Sequence, residues 1–127
     1  MKLLLDTSIL LWAAKDSLPK AAAEYILDED NELFYSSASI WEVVIKHGLK
    51  RSDFTVDPHL LHTALQENGY LQIPILSEHT LLTGTLPMIH KDPFDRILVA
   101  QSITEGLSLL TSDEMIAKYP APVIFIK

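Results

Sequence analysis

Short apolar runs alternate with amphipathic stretches along the whole chain. Leu3, Leu4 and Leu5 form a continuous apolar run that stops at Asp6, which predicts a buried strand. Thr7 or Ser8 is suited to cap a helix running from Ile9 to Ala14. Pro19 at a first-turn position, followed by Ala21, Ala22, Ala23, Tyr25, Ile26 and Leu27, predicts a second helix. Leu33, Phe34 and Tyr35 read as a strand. Ser36, Ser37 and Ser39 then offer N-caps for a helix through Ile40 and Ile45 that Gly48 helps to end.

The alternation continues. Pro58 to Asn68 is a predicted helix with Gly69 as its stop signal, and Leu71 to Ile75 a strand that Pro74 places at a sheet edge. A helix is predicted over Ser77 to Leu86. Another opens at Lys91-Asp92-Pro93-Phe94-Asp95, reaches Glu105 and is closed by Gly106. Leu107 to Leu110 is a strand, Ser112 and Asp113 start a short helix to Lys118, and Val123 to Ile126 is the last strand. Apolar strands alternating with helices imply an α/β fold, a parallel sheet covered on both faces. No repeat, linker or low-complexity stretch divides the chain, so residues 1–127 are expected to form one domain.

Composition narrows the class. Hydrophobic residues make up 48% of the 127, which argues against disorder. No apolar run approaches the roughly 18 residues of a membrane span. The first residues start like a signal peptide, but Asp6 interrupts the run and no small-residue cleavage site follows, so a soluble cytoplasmic protein is expected. The absence of cysteine excludes disulfides, zinc–thiolate sites and a cysteine nucleophile. The formal net charge of −7 weighs against generic nucleic-acid binding, where affinity comes mainly from Lys and Arg. A cation among the carboxylates, a basic patch or a basic partner has to offset it.

The carboxylates carry the chemistry. In an open parallel sheet, ligands sit beyond the carboxyl ends of the strands, where strand order reverses. Asp6 ends the first strand and Asp113 follows the end of the fourth. Glu42 lies in the first turns of the helix after the second strand, and Asp95 in the first turn of the helix before the fourth. All four belong to one rim. Hard oxygen ligands sharing one site are what Mg²⁺ or Mn²⁺ selects, and without a cation their mutual repulsion is costly.

Each residue also has a plainer role. Asp6 can cap the first helix, Glu42 can pair with Lys46 at i,i+4, and Asp113 can cap the last helix. Asp92 before Pro93 is foremost an N-cap. Asp95 can simply favour the helix dipole, yet it shares a face with Leu98, Val99 and Ser102, where an unpaired carboxylate is expensive. His90 reads foremost as a solvated loop residue. Lys46, His47, Lys50 and Arg51 form one local basic group, and Lys91 with Arg96 a second. They are either ordinary solvated positions or phosphate contacts. Trp12 and Trp41 lie in apolar helical runs, as core or dimer contacts rather than base-stacking platforms.

These motifs together resemble the PIN-domain ribonucleases over nearly the whole chain. Asp6-Thr7-Ser8 looks like the first motif of that family and Ser39-Ile40-Trp41-Glu42-Val43 like the second. The stretch from His90 to Gln101, with Asp92-Pro93-Phe94-Asp95-Arg96 at its centre, is closely similar to bacterial VapC-type toxins, and Leu110-Thr111-Ser112-Asp113 matches the final acidic motif. The resemblance implies a three-layer fold with a parallel sheet in the order 3-2-1-4-5, Mg²⁺ or Mn²⁺ at the rim, and endoribonuclease activity on RNA. It also implies a small cognate antitoxin and a homodimer. Asp6, Glu42, Asp95 and Asp113 become the acidic set, with Asp92 as either a fifth member or a cap. Thr7, Ser8 and Ser112 become hydroxyls that hold ligands or water.

Other metal- or phosphate-handling α/β folds fit less well. A von Willebrand A-type module carries Asp-x-Ser-x-Ser, and the last position here is Leu10. A phospho-receiver domain needs an Asp after its third strand, where this chain has Pro74-Ile75-Leu76-Ser77. A haloacid-dehalogenase-like phosphatase needs a second Asp at position 8, which is Ser8. A catalytically inactive PIN fold that serves only as a binding module is the remaining alternative, although no member of the acidic set is missing.

Overall fold

The computed structural model describes residues 1–50 and 54–127. The chain runs β1 (Lys2–Leu5), α1 (Thr7–Ala14), α2 (Lys20–Leu27), β2 (Glu32–Ser36), α3 (Ser37–Gly48), α4 (Pro58–Glu67) and β3 (Leu71–Ile73). It continues through α5 (Ser77–Thr83), α6 (Pro93–Glu105), β4 (Ser108–Thr111), a single 3₁₀ turn (Ile116–Lys118) and β5 (Val123–Phe125). The five strands form one parallel sheet in the order β3-β2-β1-β4-β5. Leu3 pairs with Leu33 on one side and with Ser108 on the other, so β1 is central and Asp6 emerges in the middle of the rim.

The pleat of β1 distributes the core. Leu3 and Leu5 face a cluster with Ile9 and Leu10 of α1, Ala22 of α2, Val43 of α3, and Leu61 and Leu65 of α4. Leu4 faces the other way, into a cluster with Phe34, Leu98 and Val99 of α6, and Leu109. Helices therefore cover both faces, as the uninterrupted apolar strands require. No helix among the described residues is long and apolar enough to cross a membrane.

Several boundaries differ from the sequence expectation, each for a local reason. The cap of α1 is Asp6 rather than Thr7 or Ser8, its Oδ1 accepting from Ile9 N at 2.9 Å. Among the three serines before α3, Ser36 is the cap, accepting from Ala38 N. β3 stops at Ile73 because Pro74 has no N–H to donate to the ladder, and β3 is indeed an edge strand. α5 ends at Thr83, and Gly84, Thr85 and Leu86 follow as tight turns. After Asp113 there is one 3₁₀ turn rather than a helix. Gly106 closes α6 at φ +68°, a left-handed value that costs glycine nothing.

Candidate metal centre

The rim at the carboxyl ends of β1 and β4 is where the acidic residues gather. Asp6 N donates to Leu110 O at 3.1 Å, which locks the end of β1 against β4. The Asp6 side chain is buried. Its Oδ1 caps α1, and its Oδ2 accepts from the hydroxyl of Thr111, the last residue of β4. Thr111 Oγ1 also accepts from Asp113 N at 3.0 Å, so one buried hydroxyl sets both aspartates. Burial pushes the Asp6 carboxyl above its ordinary range; the Thr111 and Ile9 hydrogen bonds oppose that, and the charges of Asp113 and Glu42 add to it.

Glu42 is buried on the second turn of α3. Its Oε2 is 3.0 Å from Lys46 Nζ, one helical turn on. Its Oε1 is buried and has no hydrogen-bond partner among the described residues. An acceptor left in that state is uncommon and points to a missing cation or donor. Asp95, in the first turn of α6, has its carboxyl pushed up to about 7. Burial is the main cause and the Asp92 charge the next; His90 opposes them, and Glu42 and Asp113 add to the rise. Asp113 turns Oδ1 to Met115 N at 2.8 Å and Oδ2 to the rim. Asp6 feels the charges of Asp113 and Glu42, and Asp95 those of Asp92, Glu42 and Asp113, so the carboxylates lie near one another at the rim.

Asp92 is the N-cap of α6, its Oδ1 accepting from Phe94 N at 2.8 Å and Asp95 N at 3.4 Å. The hydroxyls fall differently from expectation. Thr111 rather than Ser112 holds Asp6, Thr7 Oγ1 donates to Ser39 Oγ at 2.9 Å between α1 and α3, and Ser8 is exposed. Thr111 is the residue that sequence reasoning missed, although it ends an apolar strand two positions before a rim aspartate.

Two further expectations are overturned. His90 is no solvated loop residue: its Nε2 is 3.0 Å from Asp95 Oδ2 and 3.1 Å from Asp113 Oδ2. Its place two residues before the Asp92 cap was the available signal. Arg96 is not free to meet a phosphate, since it is buried and its guanidinium donates to backbone carbonyls, among them Thr83 O at 2.6 Å and Pro87 O at 3.0 Å. Lys50 and Lys91 are exposed, Lys46 is engaged with Glu42, and Arg51 lies outside the described residues. Trp12 packs half-buried against the core, whereas Trp41 is 58% exposed and stands edge-on to Phe94 with ring centroids 5.1 Å apart. These rings border a cavity of about 780 Å³ with Ile75, Met88 and Lys91, beside the acidic rim.

Asp6 and Glu42 are buried and Asp95 and Asp113 partly so. A mutually repelling carboxylate set of this kind, with one oxygen unpartnered among the described residues, has the donor chemistry of a hard divalent cation site, one that would suit Mg²⁺ or Mn²⁺. The fold and rim thus define an α/β protein with an acidic rim beyond the carboxyl ends of its parallel strands. The PIN domain family model matches residues 3–122, and the chain belongs to that family. PIN domains are in general metal-dependent nucleases.

Solved structures share the fold. VapBC2 from Rickettsia felis, bound to a DNA fragment from its promoter, contains a chain with TM-score 0.73 and 16% identity, each chain covered over 100% of its length. DNA-bound VapBC from Salmonella typhimurium gives 0.69 and 14%, with 98% of each chain covered. A toxin–antitoxin complex from Klebsiella pneumoniae gives 0.68 and 22%, covering 96% of this chain and 95% of that one. No curated protein sequence matches the chain.

Proposed function

We propose that this chain, acting as one domain over residues 1–127, is a metal-dependent endoribonuclease that hydrolyses RNA phosphodiesters as the toxin of a toxin–antitoxin pair. The observation that carries the proposal is Glu42 Oε1, buried and unpartnered among the described residues, on the rim it shares with Asp6, Asp95 and Asp113. Those four residues would hold Mg²⁺ or Mn²⁺, while Asp92 caps α6 and adds its charge to the site. Bound there, either ion supplies Lewis-acid charge that offsets the charge building on the scissile phosphate. Asp6 or Asp95 orients the attacking water. Thr111 keeps Asp6 from rotating, and the exposed Lys50 and Lys91 meet flanking phosphates.

The partners follow the same proposal. The structures similar in fold are toxin–antitoxin complexes, which supports a small antitoxin as the binding partner in the cytoplasm. A basic antitoxin segment would counter the net charge of −7 and could place a guanidinium over the rim. The exposed apolar side chains of Trp41, Val44, Ile45, Leu49 and Met88 support a homodimer. Incubation of the purified chain with single-stranded RNAs, with Mg²⁺ or Mn²⁺ and then with EDTA, tests the activity. Metal-dependent cuts are expected; metal binding without cleavage would instead indicate an inactive binding module.

A further inference from the structure

His90 touches both carboxylates that reach the rim from the α6 side of the site. Its Nε2 lies 3.0 Å from Asp95 Oδ2 and 3.1 Å from Asp113 Oδ2. Asp92 N donates to its Nδ1 at 3.2 Å, so Nδ1 is the acceptor and Nε2 carries the proton. A ring in this tautomer has no lone pair at Nε2 to offer a cation. It serves the carboxylates instead, as an N–H donor shared between them.

The main chain of His90 is held just as closely. Its N donates to the Tyr119 hydroxyl oxygen at 2.8 Å, and Arg96 Nη1 donates to the same oxygen at 3.1 Å. The Tyr119 hydroxyl proton is left facing His90 O at 3.4 Å. Arg96 is 8% exposed, and its guanidinium also donates to Pro87 O from Nη1 and to Thr83 O from Nη2. A planar, permanently charged fork that satisfies these acceptors fixes the path of residues 83–90. Arg96 also follows Asp95 directly on α6, so the imidazole and the carboxylate it contacts are referred to the same helix.

We propose that His90 is a positioning residue of the metal centre: its Nε2–H orients Asp95 and Asp113, and the Arg96–Tyr119 clamp sets His90. This rests on the rim being a divalent-cation site. Groups that hydrogen-bond ligating side chains fix their orientation, and losing one typically lowers metal affinity about 10–100-fold.

The test is Mn²⁺ affinity by calorimetry on the purified full chain, with far-UV circular dichroism and RNA cleavage measured in parallel. His90→Ala should weaken Mn²⁺ binding about 10–100-fold with the spectrum unchanged. His90→Gln, which keeps an N–H near the same place, should recover part of the loss. Tyr119→Phe removes the acceptor that anchors His90 N and should weaken binding in the same direction, and it keeps the clamp testable if Arg96→Lys fails to fold. Wild-type Mn²⁺ affinity in His90→Ala overturns the proposal, and equal weakening by Ala and Gln overturns the donor role. Uncut RNA with the expected Mn²⁺ losses supports the positioning role while ending the nuclease reading. Cleavage by wild type with unshifted affinities in the variants ends the positioning role alone. No Mn²⁺ binding by wild type ends both.

Discussion

Glu42 gives one carboxylate oxygen to Lys46 at 3.0 Å and leaves the other buried, with no donor to it among the described residues. A helix-surface pair of this spacing contributes only about 0.2–0.5 kcal/mol, too little to account for a buried charge. Glu42→Gln should therefore leave the metal-free protein as stable as wild type or slightly more so. It should also reduce the rise in melting temperature that Mn²⁺ produces. A ligand that binds only the folded state adds about 2.7 kcal/mol at a hundredfold excess over its Kd, so the difference is readable by thermal denaturation. Equal Mn²⁺ shifts in the two proteins would remove Glu42 from the site.

The raised Asp95 carboxyl makes metal-free stability depend on pH. The folded chain holds this proton up to about 7, while the unfolded chain releases it near the ordinary value of about 3.9. Between those values the folded state binds more protons, so stability falls as pH rises from about 4 to about 7 and levels off above. The ceiling is about 4 kcal/mol, at about 1.4 kcal/mol per pH unit. Denaturant unfolding with EDTA present should show this decline, and Asp95→Asn should flatten it. Parallel slopes for the two proteins would contradict the assignment.

Asp92 is expected to act through the helix it caps. Its Oδ1 holds Phe94 N and Asp95 N, and Pro93 starts the helix. Asp92→Ala should cost about 0.5–2 kcal/mol in urea unfolding and should let the Asp95 carboxyl titrate lower, since the Asp92 charge raises it. The Mn²⁺-induced stabilisation should persist. Its disappearance would make Asp92 a ligand.

Much of the architecture was legible because the apolar runs are unambiguous. Leu3-Leu4-Leu5 ending at Asp6 marks a central strand, and Pro74 marks an edge. The common rim of Asp6, Glu42, Asp95 and Asp113 followed from each one's place at a strand end or in an early helical turn. Thr111 and Arg96 were illegible for one shared reason: their roles depend on partners far away in sequence. Thr111 meets Asp6 across 105 positions, and Arg96 meets Tyr119 across 23. A buried arginine held by carbonyls has the same local sequence as a solvated one. Helix ends such as Thr83 shifted because competing donors, here the Arg96 guanidinium on Thr83 O, decide where the ladder stops.

Co-expression tests the partner. The chain produced alone should arrest growth, and Asp6→Asn should not. A small protein encoded directly beside it should co-purify on one tag, with a basic C-terminal segment that protects the rim. Unaffected growth together with no co-purification would contradict the toxin assignment and leave a free-standing nuclease.

The most direct measurement is the rate at which the purified chain cuts single-stranded RNA with Mn²⁺, compared with Asp6→Asn under the same conditions. Asp6 sits at the centre of the rim, held by Thr111 and the first turn of α1, and its carboxamide replacement keeps the cap while removing the charge. Wild type should cut only with the metal, and Asp6→Asn should lose about 10²-fold or more, in line with removing one group that stabilises transition-state charge. Cleavage that survives EDTA, or an Asp6→Asn rate equal to wild type, would contradict the assignment of this rim as the catalytic metal site.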